Sequence, residues 1–429
     1  MNLQAWFKKR GLRFVYQRAS SLVERYGIRP QKATARIQHS VQALEECGCK
    51  PTFFVPAVVV KRNLPFIRSL QDQGCEIGVH GYQHIDLKNV PPSEGSRQLL
   101  KAAVFLADNG LEVHGFRCPY LSASEELMQE LPAGVFRYSS NQAVSWEHTV
   151  PRPAGNSVLF ETIKTFYQPV PAEGEFCLPG INRGMVEIPV CVPDDLQLHD
   201  GQQFSLVEIA ETWISVLEKI HQRGELFNLM FHPELAARCE APFMEVLQTA
   251  NQPQYNIWVT QLKDVCAWWL EKETFSVTLE KAGGDTWLNL HCSPRAIVLY
   301  RNLELQPPGQ PWDATYRILA TRSVPLKDGH VPIIQLSAGL PVWVGDALKR
   351  KGYIFMPGVE SQACSLIINQ DFLQDIHNPV ELERAIENSR TPLVRFWPWP
   401  DGQRSALCLT GDLDALSLAD YATRLLPGS

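Results

Sequence analysis

No run of about 18 or more apolar residues occurs in the chain, so no segment reads as a helix spanning a bilayer. Positive charge is not in excess either. Forty Lys and Arg against 46 Asp and Glu leave a formal net charge of -6, which removes the electrostatic ground for nucleic-acid binding. The eleven cysteines are scattered and form no metal-type Cys-x-x-Cys, which favours buried free thiols over a disulfide framework. Neither an internal repeat nor a low-complexity tract is found, which excludes solenoids and disordered arrays. The first residues, Met1 to Arg10, lack the roughly 7–15-residue apolar core of a secretory signal. Together with the cysteine usage, this gives a cytoplasmic location as the expectation.

What is present is globular: 45% hydrophobic and 20% charged residues over 429 positions, enough for two units. Residues 1–30 read as a basic amphipathic helical segment, with Leu3, Phe7, Phe14 and Leu22 among its apolar positions. Such a helix packs on its own domain or makes weak contact with an anionic membrane surface. Residues 31–273 alternate between helical and strand-like spacing. Ala33–Cys47 is helical, Pro51–Val60 β-rich, Pro65–Gln73 helical and Cys75–Val79 a strand. Ser93–Asn109, Ser124–Leu131, Ser205–Gln222 and Thr260–Lys272 follow as helices, with strands at Leu111–Arg117, Glu187–Val192 and Leu226–His232. That alternation predicts an α/β unit of parallel strands joined by crossover helices. From residue 274 to 400 short strands, Gly-Gly and Ser-Pro turns and two helical patches predict an accessory β-rich or α+β domain. Residues 401–429 begin with the apolar strand Ser405–Thr410 and continue as Gly411-Asp412-Leu413-Asp414.

Three segments bear chemistry by their order. Thr52-Phe53-Phe54-Val55 precedes His80-Gly81-Tyr82-Gln83-His84, and Arg117-Cys118-Pro119-Tyr120 follows. Two imidazoles four residues apart can take adjacent positions on one divalent ion, leaving room for a carboxylate and water. Taken singly, each residue has an ordinary reading as well. His80 and His84 could be turn histidines, Arg117 a surface ion-pair residue, and Asp412 and Asp414 helix caps. Trp146 and Tyr120 could simply pack.

Together the segments resemble the NodB-homology polysaccharide deacetylases, carbohydrate esterase family 4. The resemblance implies a distorted (β/α) barrel for residues 31–273, completed by residues 401–429. It implies a hydrolase that removes N-acetyl groups from an amino sugar or polysaccharide precursor. It also implies one divalent metal, Zn²⁺ first among the choices, held by His80, His84 and Asp414. The roles it carries over are Asp412 as general base, Arg117 orienting that carboxylate, and Tyr120 giving a backbone N–H to the oxyanion. His232 becomes the acid that protonates the amine, and Asp195, in preference to Asp194, its acidic partner. Hydrolysis of another small amide or an N-formyl sugar, and a non-catalytic carbohydrate-binding scaffold, stay open.

One departure from the family is large. Its aspartate pair belongs about thirty residues before the Thr-Phe-Phe strand, yet only Asp412 and Asp414 fit, and they read Thr-Gly-Asp-Leu-Asp. Three arrangements accommodate this: a circularly permuted barrel, a strand swapped between the subunits of a homodimer, or a strand that opens a further domain. An unfilled slot would expose strand edges, which favours filling it.

Overall fold

A computed structural model gives the structure of the protein. It describes residues 26–147, 157–233, 236–282, 285–326, 330–358 and 364–423. The amphipathic segment expected at residues 1–25 lies outside them.

The strands Thr52–Val55, Glu76–Val79, Val113–Phe116, Val190–Val192, Leu226–Phe231 and Ser405–Asp412 form the middle of a twelve-stranded sheet. Residues 52–55, 76–79 and 405–412 are buried throughout, with apolar side chains packed on both faces of the sheet. Crossover helices Ala57–Asp72, Pro92–Asp108 and Leu206–Arg223 connect them. The last begins with a capping box. The Ser205 hydroxyl accepts from the Glu208 N–H, and the Glu208 carboxylate accepts from the Ser205 N–H at 2.9 Å. It ends on Gly224 in the left-handed conformation.

The strand Ser405–Asp412 lies between Thr52–Val55 and Leu226–Phe231, parallel to both. Thr410 pairs with Thr52 on one side and Met230 on the other, and Gly411 with Phe53 and Phe231. The two outer runs of the sheet are joined by very short links. Tyr138–Ser139 and Ala143–Ser145 sit on opposite runs, as do Met185–Glu187 and Val190–Val192. The sheet therefore curls into a half-barrel, an α/β fold of the kind the sequence predicts.

Three further three-stranded sheets lie between residues 276 and 400. Two are antiparallel, and the third is parallel, with Val331–Leu336 between Phe355–Pro357 and Cys364–Ile368. One apolar cluster joins them to the half-barrel. Trp268 and Trp269 pack with Ile334, Leu348, Tyr353 and Trp399. Trp312 and Trp397 pack on one another with ring centroids 5.2 Å apart. Among the local expectations two need correction. Glu187–Val192 is not one strand: Glu187 ends Met185–Glu187, and Val190–Val192 belongs to the opposite run of the sheet. Pro51–Val60 is strand only to Val55; Val58–Val60 begin the helix Ala57–Asp72, whose buried positions Val59, Val60, Asn63, Ile67 and Leu70 follow helical spacing. All eleven cysteines are free.

Candidate active site

Every expected site residue sits at, or just beyond, the C-terminal end of a parallel strand, where ligands gather in α/β sheets. His80 follows Glu76–Val79, Arg117 follows Val113–Phe116, and His232 follows Leu226–Phe231. Asp412 ends its strand and Asp414 lies two residues on. Asp194 and Asp195 follow Val190–Val192. A sheet of parallel strands thus converges side chains that the sequence scatters over more than 300 positions.

His80, His84 and Asp414 present ligand atoms within 4.8 Å of one another, and all three residues are buried. The Nε2 atoms of His84 and His80 lie 3.1 and 3.5 Å from Asp414 Oδ1. His80 Nδ1 lies 2.8 Å from the Arg117 carbonyl oxygen. A carbonyl only accepts, so Nδ1 carries the hydrogen, and in the neutral ring the Nε2 lone pair faces carboxylates. Lone pair against anion is repulsive until a cation stands between them. Donor chemistry, burial and the hydrogen-bonded second nitrogen all suit a divalent ion of the zinc type.

Arg117 is not a surface residue: it is fully buried. Nη1 donates to Asp412 Oδ1 at 2.9 Å, Nε to the Ser140 carbonyl at 3.1 Å, and Nη2 to the Ser140 and Thr410 hydroxyls at 3.0 Å each. Its guanidinium also lies over the Phe54 ring. A buried, charge-assisted pair of this kind keeps the orientation of Asp412 fixed. Asp412 Oδ2 in turn lies 3.8 Å from His80 Nε2. Neither Asp412 nor Asp414 caps a helix. The short helix Leu418–Thr423 is instead preceded by Ser417, whose hydroxyl accepts from the Asp420 N–H.

The adjacent carboxylates Asp194 and Asp195 are used differently. Asp195 accepts from His232 Nδ1 at 2.8 Å and from the His232 N–H at 2.9 Å. That bond fixes the tautomer, leaving Nε2 as the position where His232 gains and loses a proton. Asp194 accepts from the Tyr167 hydroxyl at 2.7 Å and from the Gln197 N–H at 2.8 Å. Burial, then the neighbouring Asp195 charge, pushes the Asp194 carboxyl up to about 6. Asp194, Asp195 and His232 also cluster within ligand distance. However, the two hydrogen bonds from His232 to Asp195 already account for that group.

Tyr120 follows Pro119 with φ 60° and ψ 18°, and Leu121 is also left-handed at φ 56°. Two successive residues without glycine's freedom in that region cost on the order of 1–3 kcal/mol each, a strain that clusters at functional turns. The Tyr120 ring meets His84 edge-on at 4.8 Å. Trp146 is buried, with the Arg223 guanidinium over its ring. Beside the site opens a cleft of about 450 Å³ whose lining includes Leu121, Asn141, Tyr167, Arg183 and Glu187.

Several residues of this network were not singled out from sequence: Ser140, Asn141, Tyr167 and Asn228. Asn228 accepts from the Thr410 hydroxyl at 3.0 Å and donates to the Pro189 carbonyl at 2.9 Å. A lone amide inside the apolar strand Leu226–Phe231 is the signal that marks it. Asn141 accepts the Cys118 N–H at 2.7 Å and so fixes the Arg-Cys-Pro-Tyr turn; nothing in the local sequence distinguishes it.

The chain is similar to known proteins over part of its length. It is 29% identical over 133 residues to a bifunctional xylanase/deacetylase of Pseudobutyrivibrio xylanivorans, covering 30% of this chain and 21% of that protein. The chain thus spans about a fifth of the length of that curated relative. Among solved structures, one from Mycobacterium smegmatis described as a polysaccharide deacetylase is 20% identical. It covers 56% of this chain and 77% of its own, with a TM-score of 0.41. A Puue allantoinase is 17% identical, covering 56% and 72%, with a TM-score of 0.42. Residues 29–135, which contain His80, His84 and Arg117 to Tyr120, match the sequence model of the family described as Polysaccharide deacetylase.

Proposed function

We propose that the chain is a metal-dependent hydrolase that removes an N-acetyl group from an amino sugar or polysaccharide precursor. The observation that carries this reading is the meeting of three units at one sheet edge. These are the His80–His84–Asp414 ligand set, the Asp412–Arg117 pair and the His232–Asp195 pair. The C-terminal strand is read as the family's first strand displaced to the other end of the sequence, a circular permutation, which supplies Asp412 and Asp414 within the same chain.

His80, His84 and Asp414 would hold a zinc-type ion, which would supply Lewis acidity toward the acyl oxygen and the attacking water. The protein's own groups do the rest. Asp412, held in place by Arg117, takes the proton of the attacking water as its oxygen adds to the acyl carbon. The Tyr120 backbone N–H assists the oxyanion. His232 holds a proton at Nε2, stabilised by Asp195 at Nδ1, and delivers it to the nitrogen as the C–N bond breaks. Acetate and a free amine leave, and the atoms balance against one water.

The test is bound metal per chain by elemental analysis, together with acetate release from N-acetyl sugars, in the wild type and in Asp414→Asn. About one ion per chain, lost in the variant along with activity, is the expected result. Metal retained in Asp414→Asn removes Asp414 from the ligand set and the permuted reading with it. Formate released from N-formyl sugars, with no acetate from the N-acetyl ones, moves the acyl group to formyl. Metal-loaded protein that releases neither overturns the hydrolase reading in favour of a scaffold.

A further inference from the structure

A second cleft, of about 880 Å³, lies where the hairpin of Gly180–Asn182 and Met185–Glu187 faces the helices Leu262–Lys272 and Val342–Lys351. Its cations are unequally provided for. Arg350 is bound to Glu175 at 2.7 Å and to the Phe176 and Leu178 carbonyls, and Lys349 pairs with Glu273 at 3.4 Å. Lys272 differs. Its stem is part-exposed, but Nζ is shielded from water and has no hydrogen-bond partner among the described residues. It lies 4.1 Å over the Trp269 ring. Arg395, close enough to repel it, leaves Nε buried and unpartnered as well.

Arg395 is otherwise provided for, by Glu387 at 3.4 Å and the Lys351 carbonyl, but a buried ammonium with neither counter-charge nor hydrogen bond is costly. The ring face of Trp269 offsets only about 1–2 kcal/mol of that. The cleft therefore has a cationic end and an aromatic side, where Phe275 and Phe355 are half-buried. We propose that this cleft is a second ligand site, taking the anionic group of a ring-bearing molecule, a carboxylate or a phosphate on a sugar, onto the Lys272 ammonium. The ring of that ligand lies along Phe275 and Phe355. Asn182, Arg183 and Glu187 line this cleft and the one beside the catalytic residues, so the ligand abuts a shared wall. The site stands without the deacylase reading. Burial, then Arg395, lowers the Lys272 amine to about 7, so at neutral pH much of it is unprotonated and reactive toward acylating reagents.

That reactivity is the readout. Wild-type protein is treated with acetic anhydride, and acetylation of Lys272 is compared by mass spectrometry with that of exposed Lys50, with glucuronate, inorganic phosphate or glucose present. An anion on Nζ holds the proton and covers the amine. At pH 7 a rise of one pKa unit from about 7 alone slows labelling of Lys272 about fivefold while Lys50 is unchanged. Slowing by glucuronate alone identifies a carboxylate-bearing sugar, and slowing by phosphate as well identifies a phosphate-tolerant site. No slowing by either anion, or equal slowing by glucose, overturns the proposal. In Lys272→Met the rise in melting temperature that glucuronate gives the wild type is expected to disappear; a rise unchanged in that variant also overturns it.

Discussion

Asp194 and Asp195 show how strongly position sets the work of a side chain, since adjacent carboxylates of one loop meet different partners. Asp195 is tied to His232, so Asp195→Asn is expected to lower activity by about 10²–10⁴-fold, as His232→Ala and Asp412→Asn are, with folding retained. Activity within tenfold of wild type in all three would end their assignment to proton transfer. Asp194 belongs to stability instead. Its carboxyl titrates at 3.8 in an ordinary setting and at about 6 in the folded protein. The folded state therefore holds that proton more tightly. The stability this contributes is fully present below pH 3.8 and is lost as pH rises through about 6, a change on the order of 3 kcal/mol. Asparagine at 194 carries no such charge and can keep its partners, because the Tyr167 hydroxyl can accept from an amide nitrogen. Urea midpoints measured from pH 4 to 8 are expected to fall more steeply in the wild type than in Asp194→Asn. Parallel curves for the two proteins would show that the Asp194 charge is not what burial penalises.

At the scale of the element, the C-terminal strand is the part that everything else is built around. Gly411 sits in it where any side chain would collide. A Cβ there would lie 2.6 Å from Pro233 Cγ and 2.9 Å from Phe53 Cδ1. Gly411→Ala is expected to destabilise by about 1–3 kcal/mol, read as a lower urea midpoint with an unchanged slope. A midpoint equal to wild type would mean that the strand does not lie where Phe53 and Pro233 flank it. How much of this was legible in sequence follows from the same distinction between local and non-local forces. The alternation of helix and strand, and the histidines and arginine at strand ends, are local patterns, and they are read directly. The first half of the helix Ala57–Asp72 is not, because Val58 to Val60 carry β-forming side chains that tertiary burial overrides. The Arg117–Asp412 pair joins residues 295 apart, and only a motif out of its usual order hints at it. Asn141 and Tyr167 act through neighbours brought in from other strands, which leaves no trace in their own surroundings.

For the molecule as a whole, the question is whether chain order matters to a half-barrel whose central strand comes last. The ends of the described chain answer it in structural terms. The Leu418 N–H donates to the Gly27 carbonyl at 2.9 Å, and Tyr26 and Tyr421 have ring centroids 5.4 Å apart. Residues around 421 and 26 are therefore near enough to be joined by a short flexible linker. The turn at Asp401–Gly402 is short, with Asp401 exposed, and lies between strands that a cut there leaves whole. A rearranged chain can then run from 401 to 423, through a Gly/Ser linker to 26, and on to 400. It keeps every strand pairing and puts the Asp412–Asp414 segment ahead of Thr52, the order that the permuted reading takes as ancestral. Its expected behaviour is a soluble protein with cooperative unfolding and the metal content of the original chain. Simple truncation at residue 400, by contrast, strips Thr52–Val55 and Leu226–Phe231 of their shared neighbour and is expected to aggregate. Should the rearranged chain fail to fold while the truncated one stays soluble and cooperative, the C-terminal strand would be an addition to a barrel already complete without it. Asp412 and Asp414 would then lose their claim to the site.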